Sequence, residues 1–168
     1  MRVDFDLDQG QAQKYFGDLI ARGANLLPLM QDIGEFLTET SKQRFQTSTA
    51  PDGTRWAPNA PATYLAYLNA FKGSFGKDGR ITKRGTARAG GKKPLIGETG
   101  RLGNEIAYAA TADHVDITSG LAYSAIHQFG GQAGRGRSVT IPARPYLGIS
   151  ASDDAAITDM AGAYLADL

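Results

Sequence analysis

The sequence predicts an α+β fold, a small antiparallel sheet packed by several helices with a long amphipathic helix at the C-terminus. Helical periodicity is clearest from Ser150 to Leu168, where apolar residues recur three and four positions apart. Two short runs, Asn104–Ala110 and His114–Thr118, have the composition of strands and are separated by a turn. A third observation is the basic, Gly-rich stretch from Gly73 to Gly100, which has few apolar residues and predicts a loop.

Length and composition place the chain among ordinary globular proteins. The 168 residues suit one domain, spanning 1–168, and 42% of them are hydrophobic while 21% are charged. No run approaches the ~18 apolar residues of a membrane span, and the first residues lack the apolar core of a signal peptide. Cysteine is absent, which excludes disulfides, thiol catalysis and cysteine-based zinc sites, and fits a reducing compartment.

Charge is distributed unevenly along the chain. Residues 72–101 contain nine basic and two acidic residues, so this stretch carries +7 while the remainder carries −6. The whole chain has a formal net charge of only +1. Such asymmetry indicates a polyanionic or acidic partner for the basic stretch.

The first quarter of the chain predicts a strand and two helices. Arg2–Leu7 alternates between apolar and charged residues, which is typical of a short strand. Asp8 can cap a helix that Gly23 can end. A longer helix runs from about Pro28 to about Thr47. The apolar faces of the two helices are, respectively, Ala12, Tyr15, Phe16, Leu19 and Ile20, and Leu29, Met30, Ile33, Leu37 and Phe45.

The middle of the chain predicts a turn, a helix, a flexible insertion and a hairpin. Ala50–Asn59 has turn chemistry, with Trp56 expected to anchor it on the core. Pro61–Phe71 predicts a short helix with Tyr64, Leu65, Leu68 and Phe71 on one face. Residues 73–100 are interpreted as a flexible insertion. After it, Leu102 and Ile106 anchor the hairpin, whose second strand turns Val115 and Ile117 to one side.

The C-terminal part predicts a projecting loop between two core-packed elements. A short helix, Ala122–Phe129, ends at Gly130-Gly131, where the chain can turn sharply. Gln132–Ser138 then reads as a polar loop with two arginines, and Val139–Ile141 as a strand re-entering the sheet. Two prolines bracket an extended link, and Ser150 begins the last helix, with Asp153 at the capping-box position. The core face of that helix comprises Ile157, Met160, Ala161, Tyr164, Leu165 and Leu168.

Motifs for catalysis, metals and cofactors are missing from the sequence. His114 and His127 have no metal-ligand spacing, and His127 is interpreted as a packed structural histidine in preference to an acid–base group. There is no GxSxG nucleophile elbow, and the glycines near Lys92 lack the lysine register and hydroxyl of a phosphate-binding loop. We therefore expect no catalytic residue, no cofactor and no enzyme activity. A metal-independent hydrolase using His127 is the remote alternative.

The basic insertion has two interpretations. Its lysines and arginines can neutralise DNA phosphates in a sequence-independent, salt-sensitive manner. Alternatively, the segment is a solvated surface insertion that orders against an acidic partner protein. Few aromatic residues are interleaved, so the pattern of a single-strand stacking surface is absent. A protein partner, or a role in solubility alone, is favoured over direct DNA binding.

Four short motifs occur in a fixed order: PDGTRW (Pro51–Trp56), ETGRLGNEI (Glu98–Ile106), YSAIHQFGG (Tyr123–Gly131) and IPARPYLGIS (Ile141–Ser150). In this order and at these spacings they resemble the phage virion morphogenesis family, which includes tail completion proteins of Mu-like and P2-like tailed phages. The resemblance covers roughly Leu29–Leu168. The insertion between Phe71 and Leu95 matches no motif, so no role is transferred to it.

The resemblance implies a structural virion protein that completes the tail and joins it to the head. It implies a homo-oligomeric ring at the neck, hexameric in related proteins, located in the host bacterial cytoplasm during assembly and then in the virion at the head–tail junction. Expected partners are further copies, neck or connector proteins, tail tube proteins and DNA in the ring lumen, with no membrane. The alternatives are a head-side connector subunit, an assembly factor absent from the virion, or a DNA-binding accessory protein. Candidate contact residues are Tyr123, His127, Gln128, Phe129, Arg135, Arg137, Arg144, Lys83, Arg84, Lys92 and Lys93.

Overall fold

The structure, a computed structural model, describes residues 10–21 and 25–167 and has the α+β fold that the sequence predicts. Within these residues there are seven helices, two antiparallel strand pairs and one 3₁₀ turn. None of the described helices is both long and apolar enough to cross a membrane. In chain order the elements are α1 (Gly10–Ala21), α2 (Leu27–Thr47), α3 (Pro61–Asn69), α4 (Lys83–Gly91), α5 (Arg101–Asn104), β1 (Ile106–Ala110), β2 (Val115–Ser119), α6 (Ser124–Phe129), β3 (Gly131–Ala133), the 3₁₀ turn (Arg135–Arg137), β4 (Val139–Ile141) and α7 (Ala151–Ala166).

Helix α2 lies at the centre, because its predicted apolar stripe is buried along its whole length. Its N-terminal half packs with α1 and α7 in a first core cluster, where Leu19 and Ile157 have no exposed surface. Its C-terminal end reaches a second cluster around Phe45, Trp56 and Tyr146. In that cluster the Phe45 ring lies 5.4 Å from Trp56, edge to face, and 5.2 Å from Tyr146. The predicted core role of Trp56 is confirmed.

The predicted hairpin is present and packs on α2. β1 and β2 pair antiparallel with Tyr108 opposite Ile117 and Ala110 opposite Val115. Val115 and Ile117 turn inward onto the core clusters, as their alternation predicts. The Tyr108 ring lies so close to Gly34 of α2 that a Cβ there would overlap it. Glycine at position 34 therefore allows the hairpin to approach the helix.

The capping chemistry predicted for the last helix is also confirmed. The Ser150 hydroxyl accepts a hydrogen bond from the Asp153 N–H at 3.1 Å, and the Asp153 carboxylate accepts one from the Ser150 N–H at 2.8 Å. This reciprocal pair satisfies two of the N–H groups that a helix N-terminus leaves without intrahelical partners. It fixes the start of α7 at Ala151.

Part of the predicted basic loop is helical, which corrects the interpretation of residues 83–91. The Thr82 hydroxyl caps α4 by accepting a hydrogen bond from the Gly85 N–H at 3.0 Å, and it donates one to the Gly73 carbonyl at 2.7 Å. Arg88 reaches back to the Lys72 carbonyl at 3.0 Å. A threonine cap and tertiary hydrogen bonds thus outweigh the low helix propensity of the glycines. We call α3, α4 and the connection between them, residues 61–93, the arm.

Several smaller expectations also change. The predicted loop Gln132–Ser138 contains β3 and the 3₁₀ turn, and β4 pairs with β3 in a separate ribbon and does not rejoin β1 and β2. Ile20 and Leu65, assigned to core faces, are 67% and 53% exposed because nothing described covers those sides of α1 and α3. The remaining predictions fall outside the described residues, namely the strand Arg2–Leu7, the Asp8 cap, the stop at Gly23 and the burial of Leu168.

Candidate assembly interface

The extended linker, residues 142–150, is held mainly by side chains from elsewhere in the chain. Trp56 donates its indole N–H to the Pro145 carbonyl at 2.8 Å. One Arg44 nitrogen, Nη1, donates to the carbonyls of Tyr146 and Gly148, both at 2.9 Å. Buried backbone polar groups need such partners when no strand supplies them. The linker therefore depends on α2 and on the Trp56 turn for its conformation.

Gln128 of α6 is part of this support. Its buried amide oxygen accepts hydrogen bonds from the N–H groups of Tyr146 and Leu147, at 3.0 and 3.1 Å. Its amide nitrogen donates to the Leu147 carbonyl at 2.9 Å. All of its hydrogen-bonding groups face the linker, so Gln128 belongs to the protein interior and does not present a contact surface, contrary to the sequence-based expectation.

Arg144 is likewise used inside the chain. It is 6% exposed, and its guanidinium donates to the carbonyls of Ala57 and Pro58, both at 2.8 Å. Burial lowers the pKa of Arg144. The residue ties the linker to the turn before the arm and also lines a cleft, so its role as a contact residue stays a prediction.

A buried ion pair secures the far end of the linker. Arg44 Nη2 lies 2.5 Å from Asp153 Oδ2, and both side chains are almost fully buried. Burial lowers the pKa of Arg44, while the Asp153 carboxylate acts in the opposite direction. Arg44 was not among the functional or core residues predicted from the sequence. Its position on the buried stripe of α2, seven residues after Leu37, is the signal that could have identified it.

A half-open cleft of about 540 Å³ lies between the base of the arm and the β4 ribbon. Its ionisable lining includes Lys92, Lys93, Arg101 and Arg144, and no aspartate or glutamate of residues 10–21 and 25–167 lines it. Its apolar lining includes Leu95, Ile96, Val139 and Ile141. The structure thus brings five of the sequence-predicted contact residues to one cleft, namely Tyr123, His127, Arg144, Lys92 and Lys93.

His127 forms part of the cleft wall. Its Nδ1 atom is buried without a hydrogen-bond partner among the described residues, and its ring meets Tyr123 edge to face at 5.9 Å. Burial, followed by the positive charge of Arg144, lowers the pKa of His127. The folded protein therefore favours the neutral imidazole.

This lowered pKa predicts a pH-dependent stability. The unfolded chain, with a histidine pKa of about 6.5, binds a proton more readily than the folded chain, so stability falls as pH drops below that value. We expect the difference in unfolding free energy between about pH 7.5 and about pH 5.5 to be smaller for His127→Gln than for the wild type. Urea titrations at both pH values measure it. Equal differences in the two proteins would contradict the prediction.

The remaining predicted contact residues lie outside the cleft. Phe129 is 62% exposed at the end of α6, and Arg135 and Arg137 are exposed in the 3₁₀ turn at the tip of the β3–β4 ribbon. Lys83 and Arg84 are exposed on α4. The described residues include no group of three or more histidine or acidic side chains placed to hold a metal ion. What these surfaces offer a partner is therefore charge and exposed apolar side chains.

Comparison with known proteins identifies the family. The sequence profile of the phage virion morphogenesis family matches residues 7–166, nearly the whole chain. A stretch of 37 residues is 62% identical to "Mu-like prophage FluMu G protein 2" of Haemophilus influenzae (strain ATCC 51907 / DSM 11121 / KW20 / Rd), covering 22% of this chain and 27% of that protein. No solved structure matches the chain significantly. The chain therefore belongs to the phage virion morphogenesis family.

Proposed function

We propose that this protein completes the tail of a tailed phage and joins it to the head, as one subunit of a homo-oligomeric ring at the neck. Family membership supplies the context of particle assembly. The observation that carries the proposal is the β3–β4 ribbon, whose tip holds two exposed arginines next to the exposed Val139, while the exposed Phe129 precedes its base. Exposed apolar groups rimmed by charge are typical of protein–protein contacts.

Backbone geometry at the ribbon tip supports a functional role for it. Arg137 has a φ of 57°, in the left-handed region that a non-glycine residue adopts at a cost, and Gly136 before it has a φ of 69°. Glycine at position 137 would relieve this strain. The presence of arginine at this strained position is explained if its guanidinium makes a contact in the assembled particle.

The arm suits a surface of such a ring that faces DNA or a neighbouring ring. It carries most of the +7 stretch, and its exposed basic residues include Lys83 and Arg84. Repeated around a closed ring, these charges form a basic band that attracts DNA in the lumen or an acidic ring above or below. In this proposal the protein assembles in the bacterial cytoplasm and remains in the virion at the head–tail junction.

Charge reversal at the ribbon tip tests the proposal. Because both arginines are exposed, we expect Arg135→Glu with Arg137→Glu to leave the monomer folded but to block tail joining, lowering the yield of infectious phage by several orders of magnitude. Circular dichroism checks folding, and electron microscopy counts free heads and free tails. The charge-preserving double variant Arg135→Lys with Arg137→Lys is the matched control, expected to retain substantial yield. Normal yield from the glutamate variant would refute the role assigned to the ribbon.

A DNA-binding accessory protein is the second candidate, favoured by the charge of the arm alone. It predicts retention on duplex DNA that weakens steeply with salt and disappears when Lys83 and Arg84 are changed to glutamate. Analysis of purified virions distinguishes a protein that remains in the particle from an assembly factor that leaves it. Detection of the protein in them by mass spectrometry supports a virion component, whereas its absence supports an assembly factor.

A further inference from the structure

Three of the four cationic groups that line the cleft at the base of the arm, those of Lys92, Lys93 and Arg144, have no anionic partner among the described residues. The Lys92 ammonium donates to the Ile96 carbonyl and lies over the Tyr67 ring, and Lys93 donates to the Gln46 amide oxygen at 3.2 Å. The guanidinium of Arg144 meets only carbonyl oxygens. Among the described residues, Arg101 alone of the lining cations forms an ion pair, with Glu105 at 2.7 Å. The cleft is thus a concave site with uncompensated positive charge.

The shape of the cleft favours a peptide over DNA. Its volume of about 540 Å³ lies within the range of ligand pockets and accommodates a few extended residues. Arg144 is buried and Lys92 is only partly exposed. Charges recessed in this way suit a side-chain carboxylate that enters the cleft, whereas the phosphates of duplex DNA contact cations on open surfaces. The cleft is also lined by the apolar residues Leu95, Ile96 and Val139, so a matching peptide has apolar as well as acidic side chains.

One segment of this chain has the complementary chemistry. Residues 2–8 read RVDFDLD, in which three aspartates alternate with valine, phenylalanine and leucine. In an extended peptide, alternate side chains point to opposite sides, so the aspartates and the apolar residues form two separate rows. We propose that the cleft receives the Arg2–Asp8 segment of a second copy of this chain.

Exchange of this segment between copies provides a head-to-tail contact. Segment and cleft are different surfaces, so each subunit offers one to the next, and such heterologous interfaces close into rings. The inference rests on the proposed ring for its biological setting, whereas the segment–cleft contact itself is testable on purified protein. In this proposal the acidic partner of the insertion, residues 73–100, is a neighbouring subunit, which it binds through Lys92 and Lys93.

The lack of native cysteine makes disulfide trapping a direct test. In the double variant Asp6→Cys with Val139→Cys, we expect mild oxidation to produce a ladder of covalent oligomers on a gel, which collapses to monomer on reduction. The matched control pairs Asp6→Cys with Lys77→Cys, an exposed arm position outside the cleft. An internal disulfide without a ladder, no cross-link, or an equal ladder in the control would each overturn the proposal.

Peptide binding to the full chain provides a second test. We expect a fluorescent Arg2–Asp8 peptide to bind at least tenfold more tightly than the same peptide with asparagine for aspartate. Lys93→Glu should weaken its binding at least tenfold, and Lys77→Glu should not. Equal binding of the two peptides, or none, would overturn the proposal, as would retention of duplex DNA that Lys93→Glu abolishes. If these tests fail while the Arg135/Arg137 charge reversal still blocks tail joining, this inference falls and the proposed function stands.

Discussion

Arg44→Ala is expected to lower the free energy of unfolding by about 3–5 kcal/mol, because it leaves the Asp153 carboxylate buried without its cation. The same change removes the donors to two linker carbonyls, at Tyr146 and Gly148. Since domains of this size are stable by only about 5–15 kcal/mol, the variant should lose a large share of its stability. Urea unfolding followed by the fluorescence of Trp56, which lies in the adjoining core cluster, measures the loss.

Two comparisons separate the buried pair from ordinary surface charge. Arg101→Ala breaks an exposed ion pair with Glu105 and should change stability little. Arg44→Met combined with Asp153→Leu removes both buried charges and should cost less than Arg44→Ala alone, because no carboxylate is then stranded. If Arg44→Ala lowered the free energy of unfolding by less than about 1 kcal/mol, the Arg44–Asp153 pair would not be a main contributor to stability.

Gly130→Ala is expected to destabilise the fold by about 3 kcal/mol or more. Gly130 has a φ of 73° with a ψ of −178°, a combination that is essentially restricted to glycine. An added Cβ would also lie 2.7 Å from the backbone nitrogen of Ala143. Relief of that contact requires a shift of the linker, including the hydrogen bond from the Arg144 N–H to the His127 carbonyl at 2.8 Å.

Gly136→Ala is the matched control for the glycine substitution. Gly136 also has a positive φ, 69°, but no atom lies within 4 Å of the Cβ it would acquire. With a ψ of 18°, Gly136 lies in the ordinary left-handed region, so the control carries a milder backbone strain without the clash, and we expect a loss of about 1 kcal/mol. Equal losses from the two variants, measured by urea unfolding, would show that contact with the linker contributes nothing.

Local patterns made much of the fold predictable. The stripe of α2, the capping box before α7 and the alternation in β2 each follow from the period and chemistry of neighbouring residues. The helix α4 was missed because its glycines lower intrinsic propensity, whereas its stability comes from the Thr82 cap and from contacts with residues 72–74. Tertiary context of this kind is not contained in a local window.

The candidate interface was predictable only in part. Tyr123, His127, Lys92 and Lys93 were selected from the sequence, and they line one cleft. Gln128 was selected by the same reasoning and is internal, because its partners are backbone groups that carry no residue-type signature. The shape of the cleft comes from segments far apart in the chain, so no spacing rule could have revealed it.

The dependence of the linker on Arg44 also bears on when the molecule can become native. Arg44 and Asp153 are separated by 109 positions, so their contact cannot form during synthesis until residue 153 has left the ribosome. Contacts between such distant residues slow folding, because a long loop must close before any stabilisation is gained. Chains that end before residue 153 lack the buried ion pair and nearly all of α7. The linker therefore gains its full set of partners only after the start of α7 has been made.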